Sequence, residues 1–147
     1  MKYPVIIGLA AMALAGSVHA EEHVVEMKNM GAEGPMVFEP AVVQAAVGDT
    51  VRFVPTNPGH NSVSTEGLIP AGATAWEGGL SQEVTVTLDA EGVYVYECEP
   101  HTMMAMVGVI VAGEPVNLEE IRANAGDLES EFLANQDRLN NYLSDVE

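Results

Sequence analysis

The chain has 147 residues, five Lys and Arg against 22 Asp and Glu, and a formal net charge of −17. That balance excludes nucleic acid and anionic lipid surfaces as natural partners, since both would repel it. The single cysteine excludes an internal disulfide framework.

Residues 1–20 read as a signal peptide. Lys2 gives a positive start, "VIIGLAAMALAG" is an apolar run too short to span a bilayer, and "SVHA" ends in a small residue suited to a signal peptidase. Cleavage after Ala20 leaves about 127 residues, enough for one domain with one core. Lys2 departs with the leader, so the mature chain carries four cations against 22 carboxylates, a net of −18. A soluble, periplasmic protein is expected, without stable membrane insertion, and a monomer.

Residues 21–113 are expected to form one sandwich. Seven segments, "HVVEMK", "MVFEP", "VVQAAV", "TVRFVP", "EVTVTL", "VYVYEC" and "MVGVIV", are rich in Val, Phe and Tyr. Turn clusters such as "NMGAEGP", "VGDT" and "TNPGHN" lie between them. In "EVTVTL" the apolar residues Val84, Val86 and Leu88 alternate with Glu83, Thr85 and Thr87, the pattern of a half-buried strand. The fold class is mainly β, with about eight short strands in a two-sheet antiparallel sandwich.

After Gly113 the period changes, and residues 116–147 predict two helices. Asn117 is placed to cap the first, with Glu120 in a capping-box relation. Leu118, Ile121 and Ala125 share a face, and Gly126 is a plausible stop. Asp127 is placed to cap a second helix, with Leu128, Phe132, Leu139, Tyr142, Leu143 and Val146 mostly on one side.

The chemistry concentrates in "CEPHTMMAM". Cys98 ends a strand, Pro100 bends the chain, His101 follows, and Met103, Met104 and Met106 crowd behind. An unpaired thiol in an exported protein asks for a reason. One answer is an inert buried thiol. The other is a soft metal, because thiolate and thioether favour copper, and imidazole accepts both of its oxidation states. A trigonal copper site needs a second imidazole, and His60 in "NPGHNS" supplies it, with Met106 as a long axial donor. Structural zinc fits less well, since Met is a poor zinc ligand. Cys/His hydrolysis fits least, because no substrate cleft is indicated.

The chain resembles the pseudoazurins, blue copper proteins of the cupredoxin fold. The resemblance runs through "EMKNMGAEGPMVFEP", "VGDTVRFVPTNPGHN", "GLIPAGA", "CEPHTMMAM" and the tail beginning "EPVNLEE". It implies a Greek-key sandwich with C-terminal helices and one type 1 copper ion held by His60, Cys98, His101 and Met106. It also implies that the backbone of Asn61 braces the Cys98 sulfur, that Met36 packs near His101, and that Pro100 shapes the loop. The implied function is soluble single-electron transfer, not enzymatic turnover. Redox proteins such as a nitrite reductase or a cytochrome c would dock near His101, within an apolar collar of Pro58, Pro100, Met36 and Met104. A periplasmic copper chaperone or storage protein, binding Cu(I) without shuttling electrons, is the alternative.

This sequence departs from the family in its loop and its charge. Ala105 stands where Gly is usual, and Thr102 replaces a bulkier residue. Met30, Pro58, Glu77 and Glu97 occupy places that lysines commonly hold in the family. An acidic rim including Glu77 and Glu97 is expected instead of a basic one. A mature terminus at Glu21 would also put His23 third, which composes a square-planar Cu(II) or Ni(II) site from amine, two amides and imidazole. The alternative there is a surface histidine that opens the first strand.

Overall fold

A computed structural model describes residues 19–147, so the leader expected over 1–20 lies almost wholly outside the described residues. Eight strands form: β1 (Glu22–Gly31), β2 (Gly34–Glu39), β3 (Val42–Ala45), β4 (Thr50–Pro55), β5 (Val63–Ser64), β6 (Val84–Thr87), β7 (Gly92–Glu97) and β8 (Val107–Ala112). They build two four-stranded sheets, in the orders β2-β1-β4-β6 and β3-β8-β7-β5.

The sandwich is not wholly antiparallel. β1 pairs parallel with β4, and β3 parallel with β8. Alternation within a strand fixes which residues face inward but says nothing about the direction of the neighbour. β5 was not expected, because two residues are too few to show a period.

The two sheets differ in how they are covered, and this explains the residue pattern. Val25, Met27, Val51, Phe53, Val86 and Leu88 of the first sheet and its flank pack against Tyr94, Tyr96, Ile110 and Ala112 of the second. The outer face of the first sheet meets water, so its strands alternate. β7 and β8 are instead buried at almost every residue. Their outward Val93, Val95, Val107, Val109 and Val111 lie under the tail residues Ile121, Leu128, Phe132, Leu139 and Leu143. Each such side chain contributes roughly 1.5–3 kcal/mol when fully buried. Gly108 sits opposite Tyr96. A Cβ at Gly108 would run into the Tyr96 ring, so a bare residue is needed there.

The tail has three short helices rather than two: α1 (Leu118–Asn124), α2 (Gly126–Glu129) and α3 (Arg138–Ser144). The expected inward residues are buried, but the second helix is split. Asn135 adopts φ 53°, a left-handed conformation that an α-helix does not accommodate. Asn117 makes no side-chain cap. Its Oδ1 accepts the Val93 N–H at 2.6 Å and its Nδ2 donates to the Val93 carbonyl at 3.0 Å, stapling α1 to β7. Gly126 opens α2 instead of ending α1.

The first strand is anchored by Asp49. Its carboxylate accepts the backbone N–H of Glu21 and of Ala46, each at 2.9 Å, and meets His23 Nε2 at 2.9 Å. These backbone donors, with His23, hold the carboxyl down to about 2. His23, opposite Val51 in the β1–β4 ladder, therefore also pairs with Asp49, the residue before β4. The wrap expected around a terminal metal would require β1 to unpair.

A folded-state value below the ordinary 3.8 means that Asp49 stabilises the fold above about pH 4, and that this is lost as pH falls toward 2. Asp49→Asn should lower the melting temperature at pH 7. The gap to the parent protein should close between pH 4 and pH 2 in circular-dichroism melts. A gap independent of pH would show that charge at Asp49 is irrelevant.

Candidate metal centre

The site forms where two loops meet at one end of the sandwich. The chain leaves β4 at Pro55 and turns through Gly59, whose φ of 93° favours a residue without a Cβ. The Gly59 N–H donates to Ser81 Oγ at 2.8 Å, and the Ser81 N–H donates to the His60 carbonyl at 2.7 Å. His60 is fully buried. Its Nε2 lies 2.8 Å from Asn29 Oδ1 on β1. Asn29 Oδ1 is an acceptor, so Nε2 carries the proton and Nδ1 is left with a free lone pair. Asn57 Oδ1 accepts the Asn29 N–H at 2.8 Å and holds Asn29 in place. Burial first, and the His101 charge second, push the His60 imidazole toward its neutral form.

The second loop begins where β7 ends. A helical turn spans Glu99–Met104, with Pro100 in its first turn. His101 breaks the helical geometry at φ −126° and ψ 21°, and its ring turns back toward Cys98. The loop is closed by its own backbone: the Cys98 N–H donates to the Met106 carbonyl at 2.9 Å, and the His101 N–H donates to the Cys98 carbonyl at 3.0 Å. Thr102 is buried, and its hydroxyl donates to the Cys98 carbonyl at 3.2 Å. Ala105 takes φ 55°. This left-handed position explains why glycine suits the family there, and alanine costs on the order of 1 kcal/mol.

Three donor atoms converge. His60 Nδ1 and His101 Nδ1 are 3.2 Å apart, and Cys98 Sγ is 3.4 Å from His101 Nδ1 and 3.7 Å from His60 Nδ1. The point equidistant from atoms so spaced lies about 2.0 Å from each, close to the bond lengths of about 2.0–2.3 Å that imidazole and thiolate make to a bound metal ion. Met106 is fully buried in the same cluster as Cys98. The donor set is soft and fits a copper ion. Burial pushes the Cys98 thiol up to about 11, although N–H donors from Asn61 and His101 oppose this. Metal binding must therefore displace a proton from the sulfur.

The expected supporting residues fall out unevenly. The Asn61 backbone N–H bonds toward Cys98, and its side chain braces the loop: Oδ1 accepts the Glu99 N–H at 2.9 Å and Nδ2 donates to Glu99 Oε2 at 2.8 Å. Met36 packs against the cluster holding Cys98 and Met106. Pro58 and Pro100 are exposed, but Met36 and Met104 are half-buried. Met30 next to Asn29, Leu80 next to Ser81, Met103 in the loop and Leu133, whose N–H reaches the Met103 carbonyl, are 57–74 % exposed. Glu77 is exposed, whereas Glu97 is half-buried. Burial, with Glu131 and Glu99 nearby, pushes the Glu97 carboxyl up to about 7, so it is a weak member of any acidic rim. Asn29, Asn57 and Ser81 were not anticipated. They are ordinary polar loop and strand residues, and no local pattern marks them.

Comparison with known proteins decides the family. The model for copper binding proteins of the plastocyanin/azurin family matches residues 25–113. A putative pseudoazurin of Rhizobium leguminosarum bv. viciae is 42% identical over 124 residues, covering 83% of this chain and 82% of that protein. The chain belongs to the pseudoazurins.

The crystal structure of the pseudoazurin from Methylobacterium extorquens AM1 superimposes with a TM-score of 0.75 at 37% identity, covering 86% of this chain and 99% of that one. Native pseudoazurin from Hyphomicrobium denitrificans gives 0.74 at 39% identity, covering 86% and 98%. These overlaps extend beyond the sandwich into the helical tail. The fold is the cupredoxin fold of the pseudoazurins, and copper is the ion that family membership and donor chemistry both assign.

Asn29 should matter through the His60 ring. Asn29→Ala frees Nε2 and lets the proton move to Nδ1, which then cannot bind metal. Copper affinity measured by competition with a chelator should fall about 10–100-fold, the usual effect of losing such a partner. Unchanged affinity would show that the ring is held without Asn29.

Proposed function

We propose that this chain is an exported single-electron carrier, one domain from residue 21 to the C-terminus, that works as a soluble monomer in the periplasm. The observation that carries this reading is the triangle of His60 Nδ1, His101 Nδ1 and Cys98 Sγ. With Met106 as the weak fourth donor, these residues hold one type 1 copper. When bound, the metal supplies a one-electron couple between Cu(I) and Cu(II).

The protein's part is to keep the donors still. The loop contacts described above are made between protein groups, so they hold the donors in either oxidation state and little must rearrange as charge changes. His60 is sealed inside, and His101 reaches the surface. His101 is therefore the port through which an electron leaves. Met103, two residues further along the same loop and 57 % exposed, offers apolar surface suited to brief contact. No helix among the described residues is long and apolar enough to cross a membrane, which agrees with a diffusing carrier.

The ligand assignment is tested by colour and potential. Cys98→Ser should fold and lose the intense visible charge-transfer band of the Cu(II) protein. Met106→Gln should keep both copper and colour but lower the potential, because the axial bond is weak. A wild-type protein that binds one Cu(II) without colour would support the storage or chaperone reading instead.

The partner is a redox protein such as a nitrite reductase or cytochrome c, with a basic or neutral docking patch. The net charge of −18 over residues 21–147, four cations against 22 carboxylates, repels an anionic one. Electron transfer to a cationic partner should be faster at low salt and slow as salt screens the attraction, over a Debye length of ~8 Å near 0.15 M. Glu77→Lys should blunt that slope more than Glu97→Lys, since Glu97 is only partly ionised. Faster transfer to an anionic partner at low salt would overturn the choice of partner.

A further inference from the structure

Arg138 opens α3 and is 7 % exposed. Among the described residues no carboxylate lies within ion-pairing distance of it. A buried cation without an anionic partner is tolerated only if its N–H groups are satisfied. Four main-chain carbonyls accept from its two terminal nitrogens. Nη1 donates to Met36 at 2.9 Å, Ala105 at 3.1 Å and Met104 at 3.3 Å, and Nη2 donates to Pro35 at 3.3 Å.

These carbonyls come from two places that must stay together. Pro35 and Met36 lie on β2, and Met104 and Ala105 immediately precede Met106 in the metal loop. Met36 at φ 50° and Ala105 at φ 55° both hold left-handed conformations that non-glycine residues avoid. The segment leading to Arg138 adds to the grip. The Leu133 and Ala134 N–H groups donate to the Met103 carbonyl at 2.8 and 3.1 Å, and Asn135 Nδ2 donates to the Met104 carbonyl at 3.3 Å. The carbonyls of Met103, Met104 and Ala105 are thus all bonded by residues 133–138.

From this clamp we infer that Arg138 is a positioning residue for the copper loop, tying the backbone before Met106 to β2 and fixing the axial donor. This rests on Cys98–Met106 being the ligand loop. The fork matters as well as the charge, because one planar group must reach two chain segments, and an ammonium has no such geometry. The fixed positive charge also favours the less positive state of the site, the reduced one.

The test separates loop from metal. In copper-free Arg138→Gln and Arg138→Lys, hydrogen exchange of the Ala105 and Met106 amides should quicken about tenfold. The β1 and β4 amides should keep their protection. In the copper-loaded variants the charge-transfer spectrum should shift and copper should be lost to a chelator about tenfold faster. The potential should fall in Arg138→Gln and fall less in Arg138→Lys, which keeps the charge. Asn135→Gly keeps the left-handed turn, removes only the bond to Met104, and should quicken Met106 exchange about threefold. That variant decides the question if the arginine variants do not fold. Unchanged loop exchange, or an equal loss of protection in both sheets, would overturn the inference. An absent charge-transfer band in the wild-type protein would defeat the proposed function, and the exchange result would still decide the clamp.

Discussion

Three lone-pair donors are held within 3.7 Å of one another, and this is the constraint on which the rest of the structure depends. Imidazole nitrogens and a sulfur that present lone pairs to one another repel unless a shared proton or cation lies between them. The closeness must therefore be imposed from outside. For His60 the imposition comes from Asn29, which takes the ring proton on the far side, and from Ser81, which holds the backbone. For Cys98 it comes from the end of β7 and the return of the chain at Met106, just before β8. The positive charge of a bound metal relieves the repulsion between the donors.

Beneath this end of the sandwich lies a rigid aromatic floor. Phe38 and Tyr96 stand edge-on with centroids 4.7 Å apart, and Phe53 meets Tyr96 at 4.8 Å, also edge-on. Trp76 stacks on Phe53 and donates from Nε1 to Ser62 Oγ, beside Asn61. Each such ring pair adds about 0.5–1.5 kcal/mol beyond its buried area. More important here, planar rings have few rotamers, so they resist the small displacements that would loosen the loops. The left-handed Met36 and Ala105 show the cost of closing the loop onto that floor.

The acidity of the chain acts on the site unevenly. Exposed carboxylates such as Glu77 contribute to the field that a partner meets. Glu97, next to Cys98 in sequence, is desolvated enough that its carboxyl is pushed up to about 7. The same desolvation raises the Cys98 thiol. Burial penalises every negative charge close to the centre, and the bound ion is what reverses this for the sulfur.

The ligands were legible in the sequence because their chemistry is local. Cys98, His101 and Met106 share one short loop, and thiolate, imidazole and thioether together point to copper without any knowledge of the fold. The apolar strands and the inward faces of the tail were legible too, since alternation and helical period report burial directly. Strand direction was not, because β1 beside β4 and β3 beside β8 depend on how the chain crosses between sheets. The second helix was misjudged because its apolar spacing persists through Leu133–Asp137, where hydrogen bonds to the metal loop and a left-handed Asn135 override propensity. Asn117 looked like a helix cap and became a staple to β7, since an amide side chain serves either purpose and only the neighbouring strand decides. Arg138 and Asn29 carry no local signature at all. Their roles exist only because residues distant in the chain arrive beside the loops, and that proximity is a property of the packed structure alone.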